Sequence, residues 1–147
     1  MKQLIVLTAL LISGVFCLAQ DPVKWNFTAK KIADNTYEVH LTATVEQSWH
    51  IYSQTTPEGG PAPTVISFTK NPLLTIQGKA KEVGKLLQKH EEVFGVDVKY
   101  FNEKVNFVQV IKLKGSVKTN ISGSVTFMAC TDEQCLPPQD VPFSIKL

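Results

Sequence analysis

The chain has 147 residues, three cysteines and a formal net charge of +2, with 15 Lys and Arg against 13 Asp and Glu. A length of that order fits one domain, and a nearly balanced charge scattered along the chain argues against nucleic acid and anionic lipid as partners. No nucleophile lies in a recognisable turn motif and the three histidines are scattered, which leaves the usual hydrolytic arrangements without support.

Lys2 supplies a positive start, and Leu4 to Phe16 form an apolar stretch broken only by Thr8, Ser13 and Gly14. Cys17-Leu18-Ala19 then offers small residues at the −3 and −1 positions before Gln20. This pattern predicts a cleaved secretory signal over residues 1–19 and a single mature domain over residues 20–147. The apolar run falls short of the roughly 20 residues that span a bilayer, which weighs against an uncleaved anchor. Phe16 is too bulky for the residue that precedes a lipidated cysteine, which weighs against a lipoprotein. Removal of the leader leaves two cysteines, Cys130 and Cys135.

The mature chain reads almost wholly as β-structure. A first strand is suggested at Lys24–Lys30. Tyr37, Val39, Leu41, Ala43 and Val45 then alternate with Glu38, His40, Thr42, Thr44 and Glu46, the period of two that buries one face of a sheet. Further strands are expected at Thr64–Thr69 and Leu73–Gly78, and only Lys79–His90 has a pattern that would hold a helical turn, weakened by Gly84. Val105 to Leu113 is apolar on both faces, as an inner strand would be. Ile121, Val125 and Phe127 lead into the first cysteine, and Val141, Phe143 and Ile145 form a last alternating strand. Short strands separated by Gly, Pro and Asn predict an all-β, antiparallel sandwich of immunoglobulin-like size. The sequons at Asn26 and Asn120 fall inside expected strands and read as chance matches.

Two stretches are irregular. Trp49-His-Ile-Tyr-Ser53 is followed by three prolines and two glycines in Pro57–Pro63, which enforce a fixed, exposed loop. Trp49 and Ile51 would share one face of the preceding strand and His50 and Tyr52 the other, one of them at least partly open. The second stretch, His90 to Gly95, sets the acidic pair Glu91 and Glu92 before Val93, Phe94 and Gly95. Large apolar side chains in a surface turn either fold back on the core or cover something.

The chemistry-bearing feature is the C-x₄-C pair in Phe127-Met-Ala-Cys-Thr-Asp-Glu-Gln-Cys-Leu-Pro-Pro138. Spacing alone leaves open a structural staple and a working redox couple in an exported domain, and a metal site using Met128, both cysteines and a histidine would be incomplete in any short segment. Asp132 and Glu133 between the sulfurs disfavour a thiolate, and the segment holds no Lys, Arg or His to oppose them. Pro137 and Pro138 fix the chain leaving Cys135.

From about Trp25 to Leu147 the sequence resembles the N-terminal periplasmic domain of the DsbD thiol:disulfide interchange proteins. The resemblance is most specific at Cys135-Leu-Pro-Pro-Gln-Asp-Val-Pro142, after a strand carrying the first cysteine. It implies an immunoglobulin-like fold in which Cys130 and Cys135 cycle between dithiol and disulfide, with no cofactor or metal. Electrons would pass from a membrane-embedded thiol donor to periplasmic thioredoxin-like proteins, through a domain that acts as a monomer. His50 and Tyr52 match the aromatic strand beside the family's active site. Glu91, Glu92, Val93, Phe94 and Gly95 are similar to its cap loop, although Val93 stands where the best-known members carry Phe and the segment between the cysteines is shorter by a residue. Those proteins continue into a transmembrane region and a thioredoxin-like domain, so a carrier ending at Leu147 is expected to borrow both.

Overall fold

The structure, a computed structural model, describes residues 21–147, so the leader expected over residues 1–19 lies outside them. The described residues form eleven strands and no helix. A first sheet, in the order β1-β2-β8-β5, is built from β1 (Val23–Ala33), β2 (Thr36–Val45), β8 (Lys104–Leu113) and β5 (Leu74–Gly84). A second, in the order β10-β3-β7-β6, contains β10 (Ala129–Cys130), β3 (His50–Tyr52), β7 (Val96–Phe101) and β6 (Leu87–Glu91). A third joins β11 (Gln139–Lys146), β9 (Asn120–Phe127) and β4 (Val65–Phe68). Every pairing between these strands is antiparallel.

The alternation in β2 does what its period requires: Val39, Leu41, Ala43 and Val45 are buried against the rest of the sandwich. β8, apolar on both faces, lies between β2 and β5 as an inner strand. The core it shares includes Val23, Leu41, Ile51, Phe101, Phe107, Ile111, Ile121, Phe127 and Phe143, drawn from all three sheets. Each fully buried Leu, Ile or Phe side chain contributes about 1.5–3 kcal/mol of transfer free energy. Trp25 stacks on Phe27 and Phe107 and tilts against Phe127, tying β1 to both layers.

The helical turn expected within Lys79–His90 does not form. β5 continues to Gly84, well past the expected end at Gly78, and β6 follows after only two residues. Lys, Glu, Leu and Gln carry a helical propensity of a few tenths of a kcal/mol, which the ladder to β8 and the hairpin with β7 override. β5 bulges between Gln77 and Lys81, and buried Gln109 of β8 donates its amide to the carbonyls of Gln77 (2.8 Å) and Val110 (3.0 Å) there.

In Trp49–Ser53 the opening is narrow. His50, Ile51 and Tyr52 are all buried, and the partly open face is the one that carries half-exposed Trp49, just before the strand. A strand placed between β10 and β7 is covered by its neighbours: Ile51 and half-buried Trp49 join the main core, while His50 and Tyr52 lie under side chains from β6 and β7. Pro57–Pro63 is irregular as expected, with Gly59 at φ 84° and Pro61 turned into the protein.

Candidate functional site

The site is built on the face of the β10-β3-β7-β6 sheet that points away from the main core. β10 is set by its register with β3, Ala129 opposite Ile51 and Cys130 opposite His50. Because side chains alternate, Ile51 and Ala129 enter the main core while Cys130, Tyr52 and Val98 form a separate small cluster with Val96, Tyr100 and Met128.

After Cys130 the chain reverses over Thr131–Gln134. The Thr131 N–H donates to the Gln134 carbonyl (2.7 Å), and Thr131 Oγ1 accepts from the N–H groups of Glu133 (3.2 Å) and Gln134 (3.1 Å). The Leu136 N–H then donates to the Ala129 carbonyl (2.9 Å). These bonds set Cys130 and Cys135 directly opposite one another with Cα atoms 4.0 Å apart, joined as a disulfide. The two sulfurs live in different surroundings: Cys130 is 1% exposed, whereas Cys135 lies in the exposed turn.

A polar chain crosses the same face. His50 Nε2 is 3.1 Å from the Tyr52 hydroxyl, which donates to Glu91 Oε1 (3.4 Å). Lys89 Nζ lies 2.9 Å from Glu91 Oε1 and 3.5 Å from Asp132 Oδ1, and sits over the Tyr100 ring at 5.3 Å. Burial, reinforced by Lys89, pushes His50 down to about 4, so its imidazole is neutral at physiological pH. Burial and the Glu91 carboxylate hold the Tyr52 phenol well above its ordinary range. Burial opposes the charge on Lys89, but bonding and attraction to Glu91 and Asp132 outweigh it and hold the ammonium above its usual value.

β3 is held from beneath as well. Glu82 of β5 accepts from Ser53 Oγ (2.8 Å) and from the Gln54 N–H (2.7 Å), and Thr64 Oγ1 donates to the Tyr52 carbonyl (2.6 Å). Beside His50 and Tyr100 a cleft of about 580 Å³ opens toward Trp49, Lys104 and Asp132.

Of the residues singled out in the sequence, His50, Tyr52 and Glu91 therefore meet the cysteine turn on one face. Glu92 is exposed at the tip of the β6–β7 hairpin. Gly95 closes that hairpin at φ 67°, its N–H on the Glu91 carbonyl at 2.7 Å. Val93 is 89% exposed and Phe94 42%, which overturns the alternative that they fold back on the core. Changing both to Ala is expected to leave the melting temperature within a few degrees, because exposed side chains contribute within about 0.5 kcal/mol; calorimetry checks it. Lys89 and Tyr100 were not visible as site residues. Alternation of Leu87, Lys89 and Glu91 with Gln88 and His90 was the available signal, masked by reading the segment as helical. No group of three or more His, Cys, Asp or Glu able to hold a metal comes together among the described residues.

The family described as "Thiol:disulfide interchange protein DsbD, N-terminal" matches residues 17–146. The chain belongs to that family. Among solved structures, the DsbD N-terminal domain of Neisseria meningitidis in its reduced form is 20% identical, with a TM-score of 0.51, covering 81% of this chain and 82% of that one. The N-terminal periplasmic domain of ScsB from Proteus mirabilis is 18% identical, with a TM-score of 0.57, covering 87% of this chain and 47% of that one. A complex between the DsbD and PilB N-terminal domains of Neisseria meningitidis matches at 16% identity and TM-score 0.51, covering 83% of this chain and 80% of that one. No curated protein matches. The sandwich is thus the immunoglobulin-like fold of the DsbD N-terminal domains, with Cys130 on β10 and Cys135 in the turn that follows it.

Proposed function

We propose that this DsbD N-terminal domain is an exported, periplasmic thiol–disulfide exchange module working through Cys130 and Cys135. The observation that carries this reading is the asymmetry of the pair, one sulfur exposed in a turn and its partner buried in the strand behind it. A membrane-embedded dithiol would reduce the Cys130–Cys135 bond to two thiols, giving up two electrons and two protons and itself closing to a disulfide. In the forward step the Cys135 thiolate attacks the disulfide of a thioredoxin-like protein, forming a mixed disulfide and releasing one partner thiolate. Cys130 then loses its proton and attacks Cys135 Sγ, releasing the second partner sulfur. Two electrons and two protons have passed to the partner, and the Cys130–Cys135 bond is restored. His50 and Tyr52 flank Cys130 as site neighbours, and Val93 and Phe94 act as a shield over the pair, so the double Ala variant is reduced faster by a small thiol.

Equilibration in graded thiol buffers tests the reading. An exchanging pair is expected above about −300 mV, and a value below it, with no transfer to any thioredoxin-like protein, leaves a structural staple.

A further inference from the structure

We infer that Lys89 is a positioning residue of this redox pair, fastening the turn that carries Cys135 to β6 and supplying the cation that offsets its carboxylates when a thiolate forms. The inference rests on the exchange reading above and extends it to a residue on a different strand.

The turn between the cysteines is electrostatically adverse to a thiolate, with Asp132 and Glu133 inside the ring. Glu91 adds a third carboxylate from β6, and Glu92 a fourth at the hairpin tip. Against these, β3 contributes His50, which is neutral at physiological pH, and the un-ionised Tyr52; β7 contributes Tyr100, and across the cleft beside Asp132 lie Lys104 and Glu103, a cation and a carboxylate that offset each other. Lys89 is the cation bonded to both Glu91 and Asp132. Its register opposite Val98 aims it at the face that holds Cys130, and the Tyr100 ring beneath it limits its freedom.

Stability accounts for the partly buried Lys89–Glu91 pair more readily than for the reach to Asp132. The Asp132 side chain is 94% exposed, and a solvent-exposed ion pair of that kind contributes between nothing and about 1 kcal/mol. An ammonium placed there acts more strongly on a charge that appears during the reaction, since it is already desolvated in part and oriented.

The test uses the reduced protein in a Cys130→Ala background, where Cys135 is the one remaining thiol of the mature pair. Its alkylation by iodoacetamide is followed against pH for Lys89, Lys89→Gln and Lys89→Arg. Gln keeps donors for Glu91 and Asp132 but removes the charge. It is expected to move the profile up by about one pH unit, making the reaction about tenfold slower near neutral pH, and Arg is expected to restore it. High salt should narrow the difference between Lys89 and Gln. An unchanged profile in Lys89→Gln overturns the inference, as does a loss of melting temperature with no change in the profile, which would make Lys89 a fastener only. If Lys89→Gln fails to fold, a wild-type profile insensitive to salt overturns it equally. The profile needs no partner protein. A failure of the exchange reading would instead appear as an inert wild-type disulfide.

Discussion

Cys130→Ala and Cys135→Ala are expected to behave very differently toward a thioredoxin-like protein. With the partner carried as a single cysteine activated by a chromophoric aromatic disulfide, the Cys130→Ala protein should form a stable mixed disulfide and release the chromophore. The Cys135→Ala protein should react at least about tenfold more slowly, because exchange requires in-line approach of one sulfur to another. Cys130 is packed with Tyr52 and Val98 and lies opposite buried His50, whereas Cys135 precedes the exposed Pro137 and Pro138. Stopped-flow absorbance and non-reducing gels provide the measurement. Faster reaction through Cys130 would reverse the roles assigned to the two sulfurs, and no adduct with either variant would favour a static disulfide.

Acid should destabilise the fold through His50. Its imidazole titrates near 6.5 in an unfolded chain and at about 4 in the folded one, so between those values the unfolded state binds the extra proton. The contribution is fully present above pH 6.5, falls as pH drops, and is lost once pH passes below about 4. Because His50 is only 4% exposed, the cost between pH 7 and pH 4.5 should be about 2 kcal/mol. Denaturant titrations at the two pH values measure it, and His50→Gln, which cannot take up the proton, separates it from the carboxylates that titrate in the same range. Equal acid sensitivity in the two proteins would rule out His50 as the source.

The strands that were legible from sequence were those in which burial and side-chain period coincide. Val39, Leu41, Ala43 and Val45 show one buried face of β2, and the doubly apolar Val105–Leu113 shows an inner strand. The second half of β5, from Lys79 on, and β6 were obscured because they belong to edge strands, each paired along one side, with half-exposed, charged residues whose intrinsic preference is helical. That one error hid two parts of the site. Glu82, which anchors Ser53 and Gln54 below β3, and Lys89, which reaches the cysteine turn, both lie in the stretch read as a helical turn.

The segment between the cysteines shows the same division. Its own residues contain two carboxylates and no cation, and read locally they disfavour a thiolate. Folding brings Lys89 to Asp132 across 43 residues of chain and His50 opposite Cys130 across 80. No local pattern encodes either approach, since both depend on the order β10-β3-β7-β6.

The sequence by itself determined the all-β class, the family, and the cysteine pair, because a period of two, turn residues and the spacing of two thiols are properties of neighbouring residues. Only the tertiary structure decided how deeply His50 and Tyr52 are buried and which charges surround the disulfide, because burial and Coulomb interactions depend on distances set by strands far apart in the chain.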